Sequence, residues 1–251
     1  MIFRAANPVS HRLARLAFFL ACLAAPVVAI AGPLHRYLGL DRDIALDVFR
    51  YGFYLAAGAI ALGLATAVPT RPGDRRRGFL AAMLALAIGA GAAWAPLSWL
   101  MHAYRAPALN DISTDTENPP KLVVTLQMRR GATNAPAYPG PGAAELQHTI
   151  YPDLTPIRLP LPPAEAFKRV DAVATAMGWN VVAREPSDGR LEAVATSPWF
   201  GFQDDIVVRV RKDGARGSRV DIRSKSRTGT SDLGVNAERI RAFAARLLQD
   251  K

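Results

Sequence analysis

The stretch DDIVVRVRKDGARGSRVDIRSKS, residues 204–226, decides the fold of the carboxy-terminal half. It contains two alternating runs, 204–212 and 218–226, joined by DGARG, a composition suited to a hairpin turn. Successive side chains of a strand leave opposite faces. In the first run Ile206, Val208 and Val210 therefore oppose Asp205, Val207, Arg209 and Arg211. In the second, Val220, Ile222, Ser224 and Ser226 oppose Arg219, Asp221, Arg223, Lys225 and Arg227. One face of this hairpin reads as apolar and the other as charged.

Two more strands are expected upstream, WNVVARE (179–185) and RLEAVATS (190–197), with PSDG and PWFGFQ as the connections. Arg190, Glu192 and Val194 extend the charged face. A helix is expected at about 163–177, opened by Pro162 and Pro163 and stopped by Gly178. Phe167, Val170, Val173, Ala174 and Met177 recur at helical spacing and give it one apolar side. A last helix, about 235–249, places Ile240, Phe243, Ala244, Leu247 and Leu248 together, with Asp232 or Asn236 as its cap. Two such helices need an apolar partner, and the apolar face of the meander supplies it. The predicted architecture is α+β and helix-grip-like: helix, four-stranded antiparallel sheet, helix, over 163–251.

Residues 107–162 read as a linker with an extended Pro/Gly-rich segment. NDISTDTENPPK (110–121) is polar and ends in prolines, so it is expected to run as a linker. KLVVTLQ (121–127) predicts a strand. RRGATNAPAYPGPGAAELQ (129–147) has no periodicity and is expected to be a mobile loop. YPDLTPIRLPLPP (151–163), with five prolines, should lie extended along a surface.

The first 106 residues are of another kind. Of the formal net charge of +10 they carry +7, from 11 Arg and no Lys against 4 acids. Apolar runs at about 13–34, 49–68 and 79–101 each match the ~20 residues that cross a hydrocarbon core, so 1–106 is read as a three-helix transmembrane region. Ala and Gly abound in them, which lets helix backbones approach closely. Pro26 is expected to kink the first span and Pro96 to distort the third; Trp94, Trp99 and Tyr104 read as interfacial anchors. Arg4, Arg12 and Arg15 precede the first span, and Arg71, Arg75, Arg76 and Arg77 fill the second loop. The first loop holds Arg36, Arg42 and Arg50. Three and four arginines against three favour a cytoplasmic amino terminus and an extracytoplasmic carboxy-terminal domain. Ala29 and Ala31 resemble a cleavage signal, although the apolar run before them is long for a signal peptide. The charge thus belongs mostly to the membrane region, which removes the argument for a nucleic-acid partner.

Several groups are candidates for function. Arg209, Arg223, Lys225 and Arg227, with Glu192, Asp205 and Asp221, share one sheet face. They read either as cross-strand ion pairs on a solvated surface or as a platform for an anion or acidic partner. The platform would gain from the helix start TGTSDLGVNAE, which holds Gly229, Asp232, Gly234 and Asn236. Trp199, Phe200 and Phe202 read as core lids, or as the rim of a pocket for an apolar ligand. His148 falls in the expected loop, where a lone histidine is ordinarily solvated. DISTDTE (111–117) begins like a calcium loop but has Thr116 in the sixth place and Leu122 in the twelfth, so no metal is assigned. Ser224 and Lys225 lie on opposite strand faces, as do Asp204 and Asp205, so neither pair serves catalysis. No catalytic residue and no cofactor is assigned.

The carboxy-terminal half, about 107–251, resembles a bacterial and plastid family known as domain-of-unknown-function family 1499. The resemblance rests on NDISTDTENPP (110–120), YPDL (151–154), MGW (177–179), GRLEA (189–193), FGFQDDIVVRV (200–210) and RVDIRSKSRTGTSDLGVNAERI (219–240). It implies a membrane anchor ahead of the domain and no particular chemistry. The expectation is a membrane-anchored module of the cell envelope, facing an unidentified envelope protein or ligand across the cytoplasmic membrane from the cytosol. The alternatives are a binding domain for an apolar or anionic ligand, and a hydrolase or transferase using the Asp, Arg and Ser groups of 204–232.

Overall fold

The structure, a computed structural model, describes residues 8–70 and 76–249. The chain forms two units, Met1–Tyr104 with Trp199–Gly201, and Arg105–Pro198 with Phe202–Lys251.

The first unit is built on α1 (Pro8–Leu38), α2 (Arg42–Ala67) and α3 (Arg76–Arg105). All three are long and apolar enough to cross a membrane, over Val9–Leu38, Arg42–Ala67 and Gly78–Tyr104. They extend past the apolar runs because Asp41 caps α2, accepting from Asp43 N (2.8 Å) and Ile44 N (3.3 Å), and because α1 continues as one helix through Pro26 and Pro33. The interior is lined by small side chains. Ala17, Ala21, Ala59 and Ala85 form one layer, and Ala24, Ala56, Ala92 and Ala93 the next. At Gly89 a Cβ would sit 3.0 Å from Ile60 and 3.3 Å from the Ala56 carbonyl, so the absent side chain sets how near α3 comes to α2. Large apolar groups such as Phe19, Leu23, Leu64 and Trp94 face outward. Arg4, Arg71 and Arg75, on which the expected orientation partly rests, lie outside the described residues.

The second unit carries the predicted order. α6 (Pro163–Ala176) is followed by β3 (Asn180–Glu185), β4 (Arg190–Thr196), β5 (Gln203–Asp213), β6 (Gly217–Ser226) and α7 (Val235–Leu248). The strands pair antiparallel in sequence order. Gly189 closes the β3–β4 turn at φ +63°, and a Cβ there would fall 2.1 Å from the Val210 carbonyl oxygen, so glycine is required. Phe167, Val170 and Ala174 of α6 and Ile240, Phe243 and Leu247 of α7 are buried against Leu191, Ala193, Ile206, Val208, Val220 and Ile222. Trp179 stacks on Phe243 at 5.4 Å. Neither expected residue holds the N-cap position of α7, which is Gly234 at φ +84°; Asp232, two residues before it, accepts from Gly234 N (2.8 Å) and Asn236 N (2.9 Å).

Three expectations for 107–162 are corrected, and the extended Pro-rich run gains a strand. The supposed linker contributes β1 (Asp111–Ser113), paired with Arg223–Lys225 of β6, and the Pro-rich run contributes β2 (Ile157–Leu159), paired with Ser218–Val220. Both are antiparallel, so among the described residues the sheet has six strands and β6 has a covered outer edge. KLVVTLQ forms not a strand but a short helix, α4 (Val124–Gln127). The reason is Glu192, whose carboxylate accepts from the backbone N of Val123 (3.0 Å), Val124 (3.1 Å) and Thr125 (2.9 Å). The expected mobile loop includes α5 (Pro141–Ile150), opened by Gly140 and Pro141.

Candidate functional site: the charged face and its hollows

Strand alternation carries Glu192, Asp205, Val207, Arg209, Asp221, Arg223 and Lys225 to one side of the sheet, as expected. The side is not solvated. Glu192, Asp205 and Asp221 are 0% exposed, Lys225 2% and Arg223 3%. The segment from β1 to residue 138 covers them, and its polar groups are their partners.

Four carboxylates organise the network. Asp111 accepts from Arg223 Nε (2.9 Å), Arg223 Nη2 (2.8 Å) and Lys225 Nζ (2.7 Å). Asp205 accepts from Arg227 Nε (3.0 Å) and Nη2 (2.7 Å), and from Arg129. Asp221 accepts from Arg209 (2.8 Å), Arg211 (3.1 Å) and Arg219 (2.8 Å), and Asp115 pairs with the same three arginines. Main-chain carbonyls of the covering segment complete the shell. Arg223 donates to Pro120 O (3.1 Å) and Pro136 O (2.9 Å), and Lys225 to Ala137 O (3.3 Å). Asn134 reaches back through Nδ2 to Ser226 O and Gly229 O, both 2.9 Å. Forked guanidinium groups suit this task because their planar donors meet carboxylates two at a time.

The pKa shifts follow from these contacts. Burial alone would push Glu192 up, but the donors of Thr125, Val124 and Val123 together hold it below the ordinary glutamate value. Burial likewise opposes ionisation of Asp221, and Arg209, Arg219 and Arg211 overcome it and lower its pKa. Lys225 is held below the usual lysine range, first by burial and further by Arg223 and Arg129, against the pull of Asp111. Asp232 is raised by burial, with Asp204 adding to the effect and its two backbone donors opposing it.

Asn236 accepts from Ser224 Oγ (2.7 Å) and donates to Ser226 Oγ (3.0 Å), while Asp204 holds Arg239 at 2.6 Å. Trp199 and Phe200 belong to the helical unit, where both meet Phe49 edge-on, at 5.2 and 5.7 Å. Phe202 belongs to the sheet unit, its N donating to Ser197 Oγ at 2.9 Å.

Two hollows open beside the network. The larger, about 770 Å³, is lined by Thr116, Glu117, Tyr138, Glu145 and His148 among others. His148 lies on α5 rather than in a loop, with Nε2 2.8 Å from Thr116 Oγ1. Tyr138 stacks its ring near Arg223 (5.6 Å), and its hydroxyl is buried without a hydrogen-bond partner. Burial, then Asp111, pushes its pKa up to about 12, against Arg223. The smaller hollow, about 210 Å³, includes Asn118, Lys121, Asp188, Arg190, Val207 and Arg209 in its lining. Sequence reasoning missed Tyr138, Lys121 and both hollows, since the larger is walled by the aperiodic segment 116–149 and the smaller by that segment laid against β4 and β5.

The fold and its sealed charged face define an α+β domain preceded by three helices able to span a membrane. The chain belongs to the family described as Protein of unknown function (DUF1499), whose family model matches residues 111–247. The match begins at the first residue of β1 and ends within α7, so it takes in the covering segment together with the sheet. A comparison with curated proteins returned no match.

Proposed function

We propose that the protein is a membrane-anchored, non-catalytic binding module of the bacterial cell envelope. In this reading the three helices lie in the cytoplasmic membrane, the amino terminus is cytoplasmic, and the sheet domain stands on the opposite side, where it meets an envelope protein or ligand. The arginine bias of the loops supports the orientation.

The observation that carries the non-catalytic reading is the engagement of the polar groups of 204–232 with one another and with the covering segment. Asp204, Asp205, Asp221, Arg223, Lys225, Arg227, Ser224 and Ser226 all spend their donors and acceptors inside the fold. A hydrolase or transferase built on them would have to break structural pairs in each turnover. The same fact moves the expected partner platform: Arg223 and Arg227 hold the domain together, and recognition is assigned to the hollows beside them. A fusion of alkaline phosphatase after residue 251 tests the orientation. Active phosphatase is expected; an inactive fusion together with a fluorescent green-protein fusion at the same place would refute it.

A further inference from the structure

The first span contains a break that its own backbone cannot close. In a helix each carbonyl accepts from the amide four residues on, and Pro33, inside α1, has no amide to give. The carbonyl of Ala29 therefore loses its helical partner, within a segment long and apolar enough to cross a membrane. An unsatisfied carbonyl is costly in lipid, so a proline break there persists only where neighbouring groups fill it.

The group that fills this one comes from far along the chain. Trp199–Gly201, the tip of the β4–β5 connection, belong to the helical unit. Trp199 donates from Nε1 to the Ala29 carbonyl at 3.2 Å. The seat is shaped for an indole. At Gly32 a Cβ would lie 2.7 Å from Trp199 Cδ1 and 2.9 Å from its Nε1, so α1 makes room by carrying no side chain there. Phe200, 5% exposed, stacks on Trp99 at 5.6 Å with the ring planes 4° apart. Gly201, at φ +75°, passes so near the end of α1 that a Cβ would fall 2.8 Å from Arg36 Cγ.

We infer that this tip is a latch for the first span: Trp199 supplies the donor that Pro33 withholds and so holds the outer end of α1 in helical form. Gly32 and Pro33 are together the weak point of that end, since glycine disfavours helix and proline removes a bond. With the tip seated, α1 runs unbroken from Pro8 to Leu38. With the tip released, the segment after Ala29 is free to unwind. The bond joins residues 170 positions apart, so order at the end of α1 depends on the tip and not on local sequence alone.

Amide exchange at residues 34–38, measured on the full chain in phosphatidylcholine nanodiscs, reads the latch. Trp199→Phe keeps a ring and removes the donor, and should raise exchange about fivefold, the loss of one net hydrogen bond. In a Pro33→Ala background the amide restored at position 33 meets the Ala29 carbonyl, so the same change should raise exchange less than about twofold. Gly32→Ala should also speed exchange by crowding the indole, although alanine by itself favours helix over glycine. Equal effects of Trp199→Phe with and without Pro33→Ala would assign the tip to ring packing alone and overturn the inference, as would no effect in either background. Nitrogen NMR of the Trp-labelled chain gives an independent reading. The Trp199 indole proton, identified by its loss in Trp199→Phe, should exchange slowly in the unsubstituted chain; rapid exchange there would overturn the latch as well.

Discussion

Removing the Asp111 carboxylate should release the covering segment. Asp111 is 1% exposed and is the shared partner of Arg223 and Lys225, which are 3% and 2% exposed. Asp111→Ala would strand two buried cations, and breaking a buried pair by deleting one partner costs about 3–5 kcal/mol. Arg223→Met should cost less, about 3 kcal/mol at the low end of that range, because Asp111 keeps Lys225 at 2.7 Å. The two losses share one network, so the double variant should fall short of their sum. Amide hydrogen exchange on the full chain in detergent reads the effect where it occurs. Thr114 N bonds to Ile222 O (2.9 Å) and Asn134 N to Arg227 O (3.0 Å), so both report detachment of the segment from β6. At about 1.4 kcal/mol per tenfold, Asp111→Ala should lower their protection about 100-fold to a few thousandfold. Protection within about threefold of the unsubstituted chain, where 3 kcal/mol predicts a hundredfold, would refute the reasoning.

Glu192→Ala should unwind α4 selectively, since Val123, Val124 and Thr125 lose their common acceptor; exchange at these three amides should rise while α7 stays protected, and equal loss in both would contradict the capping role. Acid should destabilise the sheet domain in a defined window. Glu192 and Asp221 have folded pKa values below the ordinary 4.5 and 3.8, so their contribution is complete above those values. It is lost as pH falls through the lower folded values, where the native carboxylates take up protons. Thermal unfolding of the full chain followed from pH 6 downward should show the loss beginning only near or below about pH 4.5, and a loss centred between pH 6 and 7 would point to a different group.

How much of this was legible in the sequence depends on periodicity. The hairpin 204–226 alternates strictly, and its register places Asp205 opposite Lys225 and Arg209 opposite Asp221, as opposite charges on a common face should fall. The helical spacing of Phe167, Val170 and Ala174, and of Ile240, Phe243 and Leu247, marked the apolar faces that now fill the core. What alternation conveys is which residues share a face, not what covers it. The cover comes from residues 110–138, where Asn, Pro, Gly and Ala follow no period and the structure is imposed from beneath. Thr125 and its neighbours turn helical because Glu192, 67 residues away, accepts their amides. Asp111 joins the sheet because two cations of β6 require a counter-charge. Such dependence on distant partners leaves no local signal, which is why a solvated face was expected where the structure has an interior.

The most direct test of that interior is amine acylation of the native full chain, read residue by residue by mass spectrometry. Lys121, Lys168 and Lys212 are exposed and should react readily, whereas Lys225, 2% exposed and bonded to Asp111, should react only when the domain unfolds. Labelling of Lys225 in the folded chain at the rate of Lys121 would show the charged face to be open, and the account of a sealed network would fail.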